Sequence, residues 1–231
     1  EAEVRTLVVE ALRDLGYRHI EIHGQKGYHG VAIVSRLPLT EVERRDFCSK
    51  GDARHIAVNF SVGGRRIELH NFYVPAGGDE PDPAINPKFE HKLAFFDELA
   101  SWSADARTHE RDTILVGDIN VAPLENDVWN HRALLKVVSH TPVEVERFNT
   151  AMRSGEWVDA VRKFTPPEQR LYSWWSYRSP NWEAADRGRR LDHIWVSPSL
   201  GEAVVDAQIL KEARGWQRPS DHVPINIRLE F

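Results

Sequence analysis

Seven short apolar runs, each closed by turn residues, commit this chain to a fold built largely from strands. They are Gly30 to Ser35, His55 to Val62, Arg66 to Val74, Thr113 to Gly117, Leu191 to Val196, Ala203 to Leu210 and Val223 to Leu229. Several alternate strictly, as Ile56, Val58 and Phe60 do, the pattern of a strand with one buried face. Helices stand between the runs. Val4, Leu7, Val8, Ala11, Leu12 and Leu15 recur at helical spacing ahead of a Gly16 stop. Asn86-Pro87 opens a second helix, with Phe89, Leu93, Phe96 and Leu99 on one face. Thr141-Pro142-Val143-Glu144 is a capping box for a third, which ends near Gly155. Pro75 to Pro83 and Thr165-Pro166-Pro167 are loops. There is no regular strand–helix alternation and no Gly-x-Gly-x-x-Gly fingerprint. The pattern predicts an α+β fold, two packed mixed sheets flanked by helices, in a single domain over residues 1–231.

Composition narrows the chemistry. No apolar run approaches the roughly 20 residues that span a bilayer, and the N-terminus lacks a signal-peptide pattern. Cys48 is the only cysteine, which excludes an intrachain disulfide or a thiolate zinc cluster and suits the cytoplasm. The net charge of −5 argues against a protein that coats nucleic acid by bulk attraction. Local basic clusters remain, at Arg44/Arg45 with Lys50 and Arg54, at Arg65/Arg66 and at Arg187/Arg189/Arg190. Taken singly, each cluster reads first as solvated surface, and second as a grip on a few phosphates. Eight tryptophans either fill a sizeable core or supply stacking surfaces.

Four segments carry candidate chemistry, each at a strand end. In Val116-Gly117-Asp118-Ile119-Asn120, Asp118 and Asn120 lie two apart and so share a face. The carboxylate can take a proton or a hard cation, and the amide can orient a water or a phosphate oxygen. In Pro219-Ser220-Asp221-His222-Val223-Pro224, adjacent Asp and His sit on stiff, extended backbone. In Arg189-Arg190-Leu191-Asp192-His193-Ile194, Asp192 begins an apolar strand and needs a partner, for which His222 is the candidate, while His193 faces the other way and is structural. In Leu69-His70-Asn71-Phe72-Tyr73-Val74-Pro75, Asn71 and Tyr73 share a face at the mouth of a loop. Each alone reads as readily as a turn or a capped strand end.

The four together, in this order, resemble the endonuclease/exonuclease/phosphatase superfamily. His23 to Ala32 and Tyr172-Ser173-Trp174-Trp175-Ser176-Tyr177-Arg178-Ser179 narrow the resemblance to exonuclease III, over nearly the whole chain. The resemblance implies a four-layered αβ-sandwich and a Mg²⁺-dependent (alternatively Mn²⁺-dependent) DNA-repair phosphodiesterase. Such an enzyme cuts double-stranded DNA at abasic sites and 3′ ends and acts as a cytoplasmic monomer without a membrane partner. It implies a catalytic set of Tyr73, Asp118, Asn120, Asp192 and His222. The implied metal ligands are Asp118, Asn120, Asp221 and His222. Lys26, Arg54, Trp174, Trp175, Arg178 and Trp216 form the DNA-contact set, with Trp182 beside Arg178 and Arg187 bracing the backbone.

Two family residues, an asparagine in a first strand and a glutamate in a Leu-Gln-Glu motif, have no counterpart here, since Glu1 and Glu3 lie too close to the first helix. The metal site is thus expected to be incomplete, and the chain to be a fragment lacking roughly 30 to 40 upstream residues. Ala76-Gly77-Gly78 also stands where better-known members carry a glutamine. Whether one metal serves or two stays open. Two other readings compete: a superfamily phosphatase acting on phospholipids or nucleotides, and a metal-dead DNA-binding module.

Overall fold

A computed structural model describes residues 2–105, 111–179 and 181–231, without the side chains of residues 2–6 and 28. Helix α1 (Ala2–Asp14) leads into the hairpin β1 (His19–Gln25) and β2 (Tyr28–Ser35). Then come β3 (Thr40–Glu43), β4 (His55–Val62) and β5 (Arg65–Tyr73). Helix α2 (Pro87–Asp105) crosses over to β6 (Asp112–Asp118). Helices α3 (His131–Leu134) and α4 (Pro142–Ser154) precede the two-residue strands β7 (Val158–Asp159), β8 (Trp174–Trp175) and β9 (Gly188–Arg189). Strands β10 (Asp192–Val196), β11 (Val204–Ile209) and β12 (Ile225–Leu229) close the chain. The Thr141 capping box forms, with Gly155 as the C-cap of α4.

The central sheet has six strands in the order β3-β4-β5-β6-β10-β7. Only β5 and β6 are parallel, because α2 returns the chain between them; the other pairs are antiparallel. Alternation sorts the side chains of these strands into two faces. Phe72, Leu115 and Trp195 pack against Phe95, Phe96 and Leu99 of α2 and Phe148 of α4. Ile67, Ile114, Ile194 and Val196 face the other way and pack with Ile225, Ile227 and Leu229 of β12. Val31 and Ile33 of β2 cover Ile56 and Val58 nearby. The second layer is thus two separate hairpins, β1–β2 and β11–β12, in place of one continuous sheet.

Strands β1 and β3 were not separable from the sequence, because β3 is wholly exposed and β1 mixes charged residues into its alternation. Helix α1 has the expected spacing, but Leu7, Val8 and Leu15 are exposed, with no described element covering them.

Register places the functional end. Tyr73 pairs with Asp118 across the parallel step, and Asp118 pairs with Asp192 across the antiparallel one. Paired residues point to the same face, so a tyrosine and two aspartates form one row at one edge, on the side of the hairpins. Gly117 makes the row possible: it sits at φ 141°, and a Cβ there would lie 1.9 Å from the Phe72 carbonyl oxygen. Any side chain would push β5 and β6 apart.

The basic clusters are mostly matched. Arg44 pairs with Glu21, Arg45 with Glu98, Arg54 with Asp52, Arg65 with Asp112 and Arg66 with Glu41. Arg190, read with its cluster first as solvated surface and second as a grip on phosphates, is instead fully buried. It donates to Asp127 at 2.9 and 3.1 Å and to Asp159 at 2.7 Å. It is one residue from Arg189, and a strand sends neighbours to opposite sides.

Candidate active site

Asp192 is held by a serine that the motif reading passed over. Ser173 Oγ donates to Asp192 Oδ2 at 2.7 Å and accepts the backbone N–H groups of Leu191 and Asp192, each at 3.0 Å. The same carboxylate oxygen meets His222 Nδ1 at 2.8 Å, the pairing that the sequence suggested. Backbone bonds bring the two segments together: Val223 N–H donates to Ser173 O and Trp175 N–H to Asp221 O. The other imidazole nitrogen, Nε2, lies 3.9 Å from Asp118 Oδ2.

Two carboxylates therefore share one imidazole, and the charges do not balance. Burial, and next the neighbouring Asp192 charge, push the Asp118 carboxyl up to about 7, against the opposing pull of His222, the Asn120 N–H and Lys92. Burial works against a charged His222. The hydrogen bond and charge of Asp192, followed by the charges of Asp118 and Asp221, outweigh it and lift the imidazole to about 9. At neutral pH the histidine is a cation and Asp118 is poised between its two states.

Asn120 does not continue the strand. It lies at φ 57°, donates its backbone N–H to Asp118 Oδ1 at 3.1 Å and its amide to Val74 O at 3.0 Å. Behind it is Lys92, which has no exposed side chain and which sequence reasoning missed, since nothing in the α2 pattern marks it as polar core. Its ammonium donates to Asn120 O at 2.8 Å and Ala76 O at 3.2 Å, and pairs with Glu144 at 2.5 Å. An ammonium has three donors, and these three acceptors match them. Glu144 in turn accepts from the Ser139 and Thr141 N–H groups. One buried ion pair thus ties together the loops after β5 and β6 and the start of α4. The Gly77 of Ala76-Gly77-Gly78 fits this: at φ 91°, a Cβ there would lie 2.9 Å from Lys92 Cδ.

A cavity of about 1030 Å³ opens over the row, and its lining joins Tyr73, Asp118, Asn120, Asp221 and His222 with Trp129, Trp174, Arg178, Arg187 and Arg189. Of the aromatic residues expected on DNA, only Trp174 lines it. Its Nε1–H donates to Asp221 Oδ2 at 3.0 Å. Trp175, its neighbour on the opposite strand face, is 2% exposed and packs with Tyr172, Ala213 and Val223; its Nε1–H donates to Asp186. Trp175 is core. Trp216 is 58% exposed and outside the cavity lining. Trp182 packs on Trp175 and under Arg214, and Arg187 lies over the Trp129 ring.

Arg178 is exposed in the lining, and Lys26 is exposed in the β1–β2 turn outside it. Arg54 is buried, paired with Asp52, and donates to Tyr73 O at 3.1 Å with its guanidinium over the Tyr73 ring. It braces Tyr73 from behind and has no open side for a phosphate. Asn71 donates to Ala32 O at 2.9 Å, tying β5 to β2. His193 is buried, with Nε2 against Val121 O at 2.8 Å.

Asp118, Asp192 and His222 offer donor atoms within 4.8 Å of one another. The sequence grouped Asp118, Asn120, Asp221 and His222 for this purpose. In the structure Asp221 has one oxygen engaged by Trp174, and Asp192 takes its place beside Asp118. Glu1 and the side chain of Glu3 lie outside the described residues. The unbalanced negative charge on Asp118 fits a hard divalent cation, which accepts carboxylate oxygens and keeps open positions for water or phosphate.

The chain and its fold are similar to known proteins. The model of the Endonuclease/Exonuclease/phosphatase family matches residues 2–222. Exodeoxyribonuclease III of Haemophilus influenzae is 31% identical over 224 residues, covering 94% of this chain and 82% of the relative. An AP endonuclease from Archaeoglobus fulgidus superposes with a TM-score of 0.86 at 27% identity, covering 96% of this chain and 83% of that one. A Neisseria 3′ phosphatase, NExo, solved bound to a product DNA hairpin, gives a TM-score of 0.84 at 31% identity over the same shares.

Proposed function

The chain belongs to the exonuclease III group of the endonuclease/exonuclease/phosphatase family, and from that premise we propose a mechanism and a substrate for it. It is a DNA-repair nuclease of the exonuclease and AP endonuclease type, from a metal-dependent family. We take residues 1–231 as one nuclease domain that acts as a cytoplasmic monomer on abasic sites and 3′ ends of double-stranded DNA. No described helix is long and apolar enough to cross a membrane.

One observation carries the mechanism: two carboxylates share a single charged imidazole beside a tyrosine and a tryptophan in one cavity. A phosphodiester is cut by in-line attack of water, with charge building on the non-bridging and leaving oxygens. Asp118, beside the Asp192 and His222 pair, accepts the proton of that water. Asp192, fixed by Ser173, holds His222 by Nδ1, so that its charged Nε2–H is free to donate to a phosphoryl oxygen. Asn120 has one amide hydrogen on Val74 O, which leaves its carbonyl and second hydrogen to orient water or phosphate. Tyr73 completes the grip. Mg²⁺, or Mn²⁺ in its place, would be held by Asp118 and Asp192, with Asp221 adjoining. When bound it neutralises charge on the phosphate and the leaving 3′-oxygen.

The test is cleavage of a duplex with one tetrahydrofuran abasic site, in Mg²⁺ and in EDTA. Metal-dependent incision at the site is expected. A phospholipid phosphatase would leave the duplex intact, and a metal-dead module would bind it without turnover.

A further inference from the structure

Arg189 differs from the other arginines of low exposure. Arg54, Arg162 and Arg190 each meet a carboxylate. Arg214 is sandwiched by the rings of Tyr177 and Trp182 and donates to Trp175 O. Arg189 is half-buried in the cavity wall, and no carboxylate lies within 4.0 Å of it among the described residues. Its Nη1 donates to Val138 O at 3.1 Å and to Ser139 Oγ at 2.8 Å, and its guanidinium lies 5.4 Å from the centre of the Trp174 ring. A guanidinium has five N–H donors. The three on Nε and Nη2 meet no acceptor among the described residues, and neither atom is sealed from solvent. A cation desolvated this far, favoured only by the more distant charge of Glu144, which already pairs with Lys92, is held for an anion that arrives with the ligand.

Register fixes where that anion sits. Trp174 pairs with Arg189 on one side and with His222 on the other. With strands about 4.8 Å apart, the backbones of Arg189 and His222 are roughly 10 Å apart with the Trp174 indole between them. The two ends of this short row differ in purpose. The His222 end meets the phosphate to be cut, and whatever is esterified to that phosphate passes over Trp174 toward Arg189. Arg187, two residues earlier, lies over the Trp129 ring at 4.9 Å and adds positive charge to the same wall.

We propose that Arg189 is the receptor for a second oxyanion, carried by the group esterified to the scissile phosphate, and that it determines specificity. The cavity selects entering groups that bear a carboxylate or phosphate over neutral ones of the same size. The inference rests on the nuclease reading above and refines its substrate. The oxyanion comes either from an oxidised 3′-terminal fragment or from the next phosphate of the strand.

Two pairs of duplexes separate these sources. The first pair carries a 3′-phosphoglycolate end or its neutral 3′-phospho-(2-hydroxyethyl) counterpart. The second carries an internal tetrahydrofuran site whose 3′ neighbouring linkage is a phosphate or a neutral methylphosphonate. The readout is the ratio of kcat/KM for the charged over the neutral member, in Mg²⁺. The parent should favour the charged member of at least one pair by about tenfold or more, and Arg189→Gln should bring that ratio below about threefold. Arg189→Lys, which keeps the charge, should restore part of the preference and covers the case in which Gln fails to fold. The inference is overturned if the parent shows no charge preference in either pair, or if Arg189→Gln lowers both members of each pair equally. Failure of the parent to cut any of the four duplexes would reject the nuclease reading instead.

Discussion

Arg190 and Asp192 stand two residues apart, yet they belong to ionic clusters of opposite design. Around Arg190, two guanidinium groups face two carboxylates: Arg190 binds Asp127 and Asp159, and Arg162 binds Asp127 at 2.5 Å. The charges balance, each carboxylate is engaged by a guanidinium, and Asp127 and Arg190 are buried. Burial raises the Asp159 carboxyl, but the charges of Arg190 and His193 and the hydrogen bonds from Arg162 and Arg190 together hold it below the usual carboxylate range. Around Asp192, two carboxylates face one imidazole at the edge of a cavity, and Asp118 is driven up to about 7. A matched cluster has nothing left to bind and serves the shape of the molecule. A mismatched one is strained toward a proton or a cation, and chemistry can use that need.

The comparison breaks most visibly at Asp118. Replacing Asp118 with Asn should lower kcat by about 10²- to 10⁴-fold, the range expected for losing a general base. The thermal midpoint in metal-free buffer should stay level or rise, since a buried, repelled charge has been removed. A large fall in midpoint would make Asp118 structural. Arg190→Met should do the reverse. Asp127 and Asp159 would be left buried with part of their partner gone, at a cost of about 3–5 kcal/mol. Urea unfolding should read that loss, and kcat of the folded fraction should hold. A midpoint unchanged by Arg190→Met would remove the distinction between the clusters.

A smaller effect comes from the cation. Saturating Mg²⁺ should stabilise the parent by up to about 2.7 kcal/mol at a hundredfold excess over its dissociation constant. Asp118→Asn should show little of this shift, and Arg190→Met should show it in full. Calorimetry of the three proteins checks it. A further effect, of the same order, lies in pH. The folded carboxyl of Asp118 is raised, so its contribution to stability is complete below its unfolded value near 4 and is lost as pH rises through about 7. In metal-free buffer the stability of Asp118→Asn relative to the parent should therefore grow from about pH 4 to 7 and then level off. Asp159, depressed, works in the opposite sense, its stability lost as pH falls below the unfolded value. A flat difference curve for Asp118→Asn would remove the proposed imbalance.

Much of this was legible because it is local or periodic. Alternation found β4 residue for residue, and the capping box found α4. The spacing of Asp118 and Asn120 did place both at one spot, though through a left-handed turn and not an extended strand. Parity could say that Arg189 and Arg190, or Trp174 and Trp175, point to opposite sides. It could not say which side is the cavity, and that is where Arg190 and Trp175 were misplaced. Arg54 was misread for a related reason: its partner Asp52 is close in sequence, but its burial depends on Tyr73 in another strand. Lys92 gave no signal, and Glu144 was legible only as part of a capping box. Each sits in its own helix, and only the packing of α2 on α4 turns them into a pair.

The row of Tyr73, Asp118 and Asp192 has a kinetic consequence. Its members are drawn from strands far apart in the chain, and one of its two junctions is the parallel step that α2 must close. Closing long loops carries an entropic cost that the early hairpins, β1–β2 and β4–β5, do not bear. On dilution from denaturant, helical and hairpin signals should return before nuclease activity does, and the interval between them times the arrival of β10 beside β6. Activity would then serve as a clock for the last long-range pairing in the fold.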